Sequence, residues 1–358
     1  MNVRQFRVTL LVTPSHSFLD GSAVVRGLSD LAIAGAIRLR MRGGKVFDPR
    51  HRALIQLDVI KEDDRQRRRV VIDLADRADY FSMMALDASD VYFKRSFVAQ
   101  DIEKLPIVHR QRVKPYGLNL ACLGATAVRW HLRAALTVLA QRAHADSASI
   151  SNALAEFISN CRLMTGLNAP SQFRGSADTP VGHSIILQTR IWPPEPSTDN
   201  LDGVNAERIA LVQKLRAAFG DRFVGGIVAD AFSVVSCPAD VLVRANKKPS
   251  AYVRLVRAAG IGVYTRGLHH AIAIKMAEYL AAGLCIVSEP LSHDLPVPLV
   301  EGINFLSFRS YDECVSQCEW LSSHPREAAH MRLANLEYYR KWAEPSAHIH
   351  DLLLRSFA

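Results

Sequence analysis

Apolar and polar positions change period several times along this 358-residue chain, and each change marks an element. Phe6–Val12 (FRVTLLV) alternates and then runs apolar, which predicts a buried strand. The polar loop TPSHSFLDGS follows, and a helical period sets in over residues 23–34. Ile37–Met41 alternates apolar residues with arginine. Leu54–Ile60 and Val70–Leu74 are strand-like, and the charged turn KEDDRQRR between them predicts a hairpin over 54–74. DLADRADYF leads into a short helix, and DVYFKRSF is a further strand. KPYGLNLAC reads as an exit loop before two amphipathic helices at 127–143 and 148–163.

Residues 165–182 (TGLNAPSQFRGSADTPVG) are the best linker in the chain, because Gly, Pro, Ser, Asn and Thr dominate there. The pattern then restarts. Ser184–Thr189 is strand-like and runs into a proline-rich loop, and Ala206–Phe219 is helical. Arg222–Val228 is a strand with Gly225 and Gly226, and Ser250–Ala259 is a helix leading into the strand GIGVY. A helix opened by His269 and His270 is expected next, stopped by Gly283 before the strand Leu284–Val287. The tail from 325 is helical. Alternation of strand and helix predicts parallel α/β sheets. The expectation is two doubly wound domains facing a cleft, the first over 1–170 and the second over 183–335.

Composition changes this picture little. The length favours two cores over one. A formal net charge of +9 implies attraction to anions and does not say which. No run of about 18 uncharged apolar residues is present, so a spanning helix is not expected. The short apolar stretch after Arg7 reads as a strand rather than a signal-peptide core. The six cysteines are scattered, which fits buried free thiols in a reducing compartment.

The candidate chemistry lies in GIGVYTRGLHHAIAIKMAEYLAAG. Thr265, Arg266 and Gly267 turn the chain after the strand, and Gly267 permits close backbone approach. A helix N-terminus and the Arg266 guanidinium would suit a phosphate. At helical spacing Ala271, Lys275, Glu278 and Ala282 share one face. Lys275 can meet a phosphate and Glu278 can accept from vicinal hydroxyls, with the alanines as clearance. The same two residues also fit an ordinary surface ion pair.

The run K-x-x-E-Y-L-A-A-G followed by an apolar strand resembles the donor-binding half of GT-B glycosyltransferases, most nearly the family 4-like and CgeB-like group. That resemblance implies that Glu278, five residues before Gly283, holds the ribose of a nucleotide sugar. Many members carry a further glutamate eight residues earlier over the sugar ring, and here that place holds His270. The resemblance further implies that Arg190, at the end of IILQTR, meets the diphosphate, and that His269 or His270 touches the donor. It implies the GT-B fold, with C-terminal helices over 336–358 crossing back to the first domain. It covers residues 184–325 and reaches the first half only through the strand–loop–helix opening.

In the first half, His16 and Asp20 of PSHSFLDGSA are candidate general bases for an acceptor hydroxyl. Both equally fit turn and helix-start chemistry. Lys94 and Arg95 are candidates to face the cleft. DLADRAD reads as a strand end and helix start. No Walker motif, no G-x-G-x-x-G after the first strand and no D-x-D between apolar strands is found. The expectation is therefore a metal-independent cytoplasmic transferase with no cofactor beyond its nucleoside diphosphate sugar. Its acceptor would be a glycan or lipid-linked molecule in surface polysaccharide assembly. A GT-B epimerase and a non-catalytic nucleotide-sugar or glycan binder are the alternatives. The basic runs RLRMRGG, RHR and RQRRR fit a solvated face or docking at an anionic membrane. Nucleic acid is not favoured, because aromatics do not interleave them.

Overall fold

The computed structural model describes residues 5–14, 16–46, 48, 51, 53–145, 150–176, 182–194, 201–244 and 248–358. Residues 177–181 of the expected linker, 195–200 of the proline-rich loop, 148 and 149 of the second long helix, and Arg50 and Arg52 of RHR lie outside the described residues. The chain divides into two compact units. The first comprises Met1–Pro170, His293–Val297 and Lys341–Ala358, and the second comprises Ser171–Ser292 and Pro298–Arg340.

The first unit is built on a sheet of six strands in the order β2-β1-β3-β4-β5-β6. These are β1 Phe6–Val12, β2 Ile37–Gly43, β3 Leu54–Lys61, β4 Arg67–Asp73, β5 Val91–Lys94 and β6 Val113–Pro115. The expected hairpin is β3–β4, and it inserts antiparallel pairing into an otherwise parallel sheet. Alternate residues of β1, β3 and β4 (Val8, Leu57 and Val70 among them) enter one apolar core. The helices Ser22–Ile33 and Pro345–Arg355 close that core, with Leu28, Ile349 and Leu352 fully or nearly fully buried. The two helices approach so closely at Gly27 that a Cβ there would lie 2.2 Å from the Pro345 carbonyl oxygen.

The second unit has six strands, all parallel, in the order β12-β11-β10-β7-β8-β9. They are β7 Ile185–Thr189, β8 Phe223–Val228, β9 Leu242–Val243, β10 Ile261–Tyr264, β11 Cys285–Ser288 and β12 Leu306–Ser307. The chain runs outward from β7 to β9, returns, and runs outward again from β10 to β12. That is the doubly wound Rossmann order, and its topological switch point lies between β7 and β10. Cys314 and Cys318 pack in this unit's apolar core as buried thiols, and all six cysteines are free. Among the described residues, no helix is long and apolar enough to cross a membrane.

Candidate functional site

At the switch point, the chain leaves β7 at Arg190 and leaves β10 at Thr265. Arg208, from the Leu201–Phe219 helix, ties these two exits together. Its guanidinium donates to the Arg190 carbonyl at 2.6 Å and to the Arg266 carbonyl at 2.7 Å, and it lies over the Trp192 ring at 4.2 Å. Burial pushes the Arg208 pKa down to about 10, and Glu289 partly offsets this. The residue is still charged at neutral pH. Sequence reading passed over it, although a signal was there: Arg208 sits on the buried stripe Leu201, Asn205, Leu211, Val212, Leu215.

Arg266 is held differently from the expected phosphate donor. Its guanidinium bonds Glu289 at 3.0 Å and also Glu207, and its backbone N–H donates to Glu289 at 2.6 Å. Two carboxylates already take the fork of donors, so here Arg266 braces the loop. Together with Arg208, Thr265 and Tyr311 these three residues line a small pocket.

The expected helix from the histidines onward is shorter than its periodicity suggested. Leu268–His270 form a single tight turn, and the helix proper is Ile274–Ala282. Gly267 N–H bonds the Ala271 carbonyl at 2.8 Å, and Ala273 N–H bonds the Tyr264 hydroxyl at 2.6 Å. Both amides are thereby diverted from a helical ladder. His269 and His270 adopt φ of 54° and 61°, the left-handed region that costs a non-glycine residue about 1–3 kcal/mol. His270 is exposed and His269 half-buried.

Lys275 and Glu278 do share a face of the shortened helix, and a third residue joins them. Tyr252, from the Pro249–Ala258 helix, donates its hydroxyl proton to Glu278 Oε2 at 2.8 Å and accepts from Lys275 Nζ at 3.2 Å. The Lys275 ammonium also lies 4.8 Å from the Tyr252 ring centroid. The expectation that alanines leave clearance here is corrected: Ala271 and Ala282 are buried, and the space beside Lys275 holds an aromatic ring. Burial and then the Glu278 carboxylate push the Tyr252 hydroxyl well above its ordinary pKa, so it stays a donor. Burial lowers the Lys275 pKa, Glu278 opposes this, and Arg208 and Arg190 add to the lowering. Arg190 itself is exposed at the end of β7 and also depresses the Asp230 carboxyl, which backbone and hydroxyl donors from Ser233 hold down first. The second unit thus gathers Arg190, Tyr252, Lys275 and Glu278 at the carboxyl ends of β7 and β10.

The first-unit candidates sit in other surroundings. His16 is buried, edge-on to Phe18 at 4.9 Å, and its pKa is pushed down to about 3 by burial and by His131. An imidazole that weak is poorly matched to general-base work near neutral pH. Asp20 is half-buried and accepts from the Ser17 hydroxyl at 2.8 Å; Gly21 is the N-cap residue of the Ser22–Ile33 helix. Lys94 does not face outward. It is fully buried, 2.7 Å from Asp73 Oδ2 and 2.8 Å from the Tyr80 carbonyl. Arg95 pairs with Asp76 at 3.0 Å. Among the described residues, no group of three His, Cys, Asp or Glu side chains is placed to hold a metal ion.

Comparison with known proteins adds one direct finding. Residues 208–352 match a family described as Glycosyl transferase-like. The matched stretch contains Arg208, Tyr252, Arg266, Lys275 and Glu278. No curated protein matches the chain significantly. Among solved structures, the C-terminal domain of a glycosyl transferase group 1 family protein from Francisella tularensis is 12% identical, over 49% of this chain and 97% of that one, with a TM-score of 0.34. A glycosyltransferase from Rickettsia africae is 9% identical, over 78% of this chain and 65% of that one, with a TM-score of 0.43. Sucrose-phosphate synthase from Thermosynechococcus elongatus is 11% identical, over 93% and 92%, with a TM-score of 0.38. These structural scores are too low to bear on the function of this chain.

Proposed function

We propose that the protein is a glycosyltransferase that uses a nucleoside diphosphate sugar and binds it at the switch point of the second unit. The observation that carries this reading is the hydrogen-bonded array Lys275–Tyr252–Glu278 beside Arg190. It sets a carboxylate suited to vicinal hydroxyls next to two cations suited to a diphosphate. The Glycosyl transferase-like match over residues 208–352 supports it.

In this reading Glu278 accepts from the ribose hydroxyls, while Tyr252 occupies one carboxylate oxygen and fixes its orientation. Lys275 and Arg190 stabilise charge on the departing diphosphate, which grows as the glycosidic bond breaks. Arg208 and Arg266 shape the two loops and do not touch the donor. The left-handed turn at His269 and His270 presents the donor-sugar side of the site. Asp20 is the base candidate retained from the first unit. The acceptor is a glycan or lipid-linked molecule of surface polysaccharide assembly, a setting that rests on the family resemblance of the Lys275–Gly283 run.

The test has two parts. Uridine, guanosine, cytidine and thymidine diphosphates are titrated against the parent and Glu278→Ala, and release of nucleoside diphosphate is followed from a panel of nucleotide sugars. The reading expects one nucleotide to bind with a clear preference and Glu278→Ala to weaken it at least about tenfold, the scale of a lost bond to a charged group. Equal binding by parent and variant would sink the site assignment. Binding without release, whatever acceptor is supplied, would instead mark a non-catalytic binder.

A further inference from the structure

Two basic runs that lie far apart in sequence meet on one face of the first sheet. Side chains alternate across a strand, so Arg38, Arg40 and Arg42 of β2 point away from the apolar core that takes Ile37 and Met41. The register sets Arg38 beside Arg7 and Arg40 beside Thr9 on β1. Arg7 and Thr9 stand opposite Ile60 and Asp58 on β3, which in turn face Arg67 and Arg69 on β4. Six arginines from three strands therefore share one face.

Among the described residues, two carboxylates form ion pairs with them. Asp58 is shared by Arg42 at 2.8 Å, Arg67 at 3.2 Å and Arg69 at 3.8 Å. Glu62 takes Arg7 at 3.2 Å and is shared with Arg65 at 3.1 Å. The hairpin turn adds only one net negative charge, since Asp63 and Asp64 share the single Lys61 ammonium. Arg42 and Arg67 are about three-fifths exposed, at 61% and 62% of their side chains. Arg38 and Arg40 are exposed and form no ion pair with any described residue. Charge of one sign, held on a rigid sheet with too few internal partners, is an electrostatic device in search of an anionic surface.

We propose that this arginine face docks the protein on an anionic lipid bilayer. Each guanidinium can take a headgroup phosphate bidentately, and a lipid surface offers many phosphates in one plane. A nucleic acid is the poorer fit. Sheet faces that read single strands stack bases on aromatic residues, and the cross-strand positions here are Arg, Thr9, Asp58 and Ile60. A second copy of the chain is also disfavoured, because two such faces repel. The inference concerns the first unit alone and stands or falls independently of nucleotide binding by the second.

Vesicle sedimentation tests it with the full chain and no nucleotide. Phosphatidylcholine vesicles are compared with equal mixtures of phosphatidylcholine and phosphatidylglycerol. The parent is expected to bind only the anionic vesicles and to be released by about 0.5 M salt. Arg38→Gln/Arg40→Gln is expected to weaken binding about tenfold or more. Its thermal melting stays that of the parent, since neither side chain has a partner to lose. Arg309→Gln/Arg326→Gln removes the same charge from exposed positions of the second unit and is expected to change binding less than about twofold. Three results overturn the proposal: no binding to anionic vesicles, equal loss in both double variants, or tighter binding to a DNA or RNA duplex than to vesicles that disappears in Arg38→Gln/Arg40→Gln.

Discussion

Tyr252 is a small residue-scale device with a large consequence for the proposed site. Its hydroxyl is at once donor to Glu278 and acceptor from Lys275. Removing that one oxygen leaves a half-buried carboxylate and ammonium without their shared partner. Tyr252→Phe is therefore predicted to cost about 1–3 kcal/mol in stability and to weaken nucleotide binding, both read by calorimetry. Unchanged binding in a well-folded variant would mean that Tyr252 does not orient Glu278. Lys275 supports the opposite kind of prediction. Its pKa is lowered on folding, so between the folded and unfolded values the unfolded chain holds more protons and stability rises with pH. At neutral pH its half-buried charge carries a desolvation cost. Lys275→Met should leave stability unchanged or raise it by up to about 1 kcal/mol, while nucleotide affinity falls. A variant that lost both together would show that Lys275 is structural.

At the scale of elements, much of the framework was legible in the sequence, and the departures have physical causes. Strands such as β1 and β7 follow the apolar pattern because burial dictates it. The β3–β4 hairpin was legible from its charged turn. The start of the Ile274–Ala282 helix was not, because periodicity cannot see that the Tyr264 hydroxyl takes the Ala273 amide. For the same reason Tyr252 stayed hidden: it meets Glu278 from another helix, 26 positions away. Lys94 reads from sequence as a candidate to face the cleft and is instead buried, since its partner Asp73 ends the neighbouring strand. Gly27 shows a close approach that only the fold reveals. A side chain there must displace the first turn of Pro345–Arg355, because the atom it meets is backbone. Gly27→Val is predicted to destabilise the first unit by about 1–3 kcal/mol in urea unfolding, with loss of amide protection concentrated in Pro345–Arg355. Parent-like protection of that helix would contradict the packing described.

For the whole molecule, the two units are predicted to differ in their response to acid. His16, His131 and His348 all lie in the first unit, buried, and their pKa values are pushed down to about 3, 4 and 4, chiefly by burial. A histidine with a lowered folded pKa binds protons more readily when unfolded. Stability is then full above its unfolded value and falls as pH drops from about 6.5 toward about 4, by up to about 1.4 kcal/mol per pH unit for each residue. Asp73 acts in a separate window. Burial alone would raise its carboxyl, but Lys94 and then His51 more than offset that and hold it well below its ordinary value. Its contribution is present above the unfolded carboxyl pKa of about 3.9 and is lost only as pH falls below it. Melting followed by circular dichroism should therefore show the first unit losing stability already between pH 6.5 and 4, before any carboxylate of the Asp73–Lys94 cluster is protonated. His131→Gln should flatten that upper limb, while Asp73→Asn should lower stability at neutral pH and flatten only the limb below about pH 4. If the melting temperature were the same at pH 7 and pH 4.5, the three histidines could not be buried in neutral form as the fold places them.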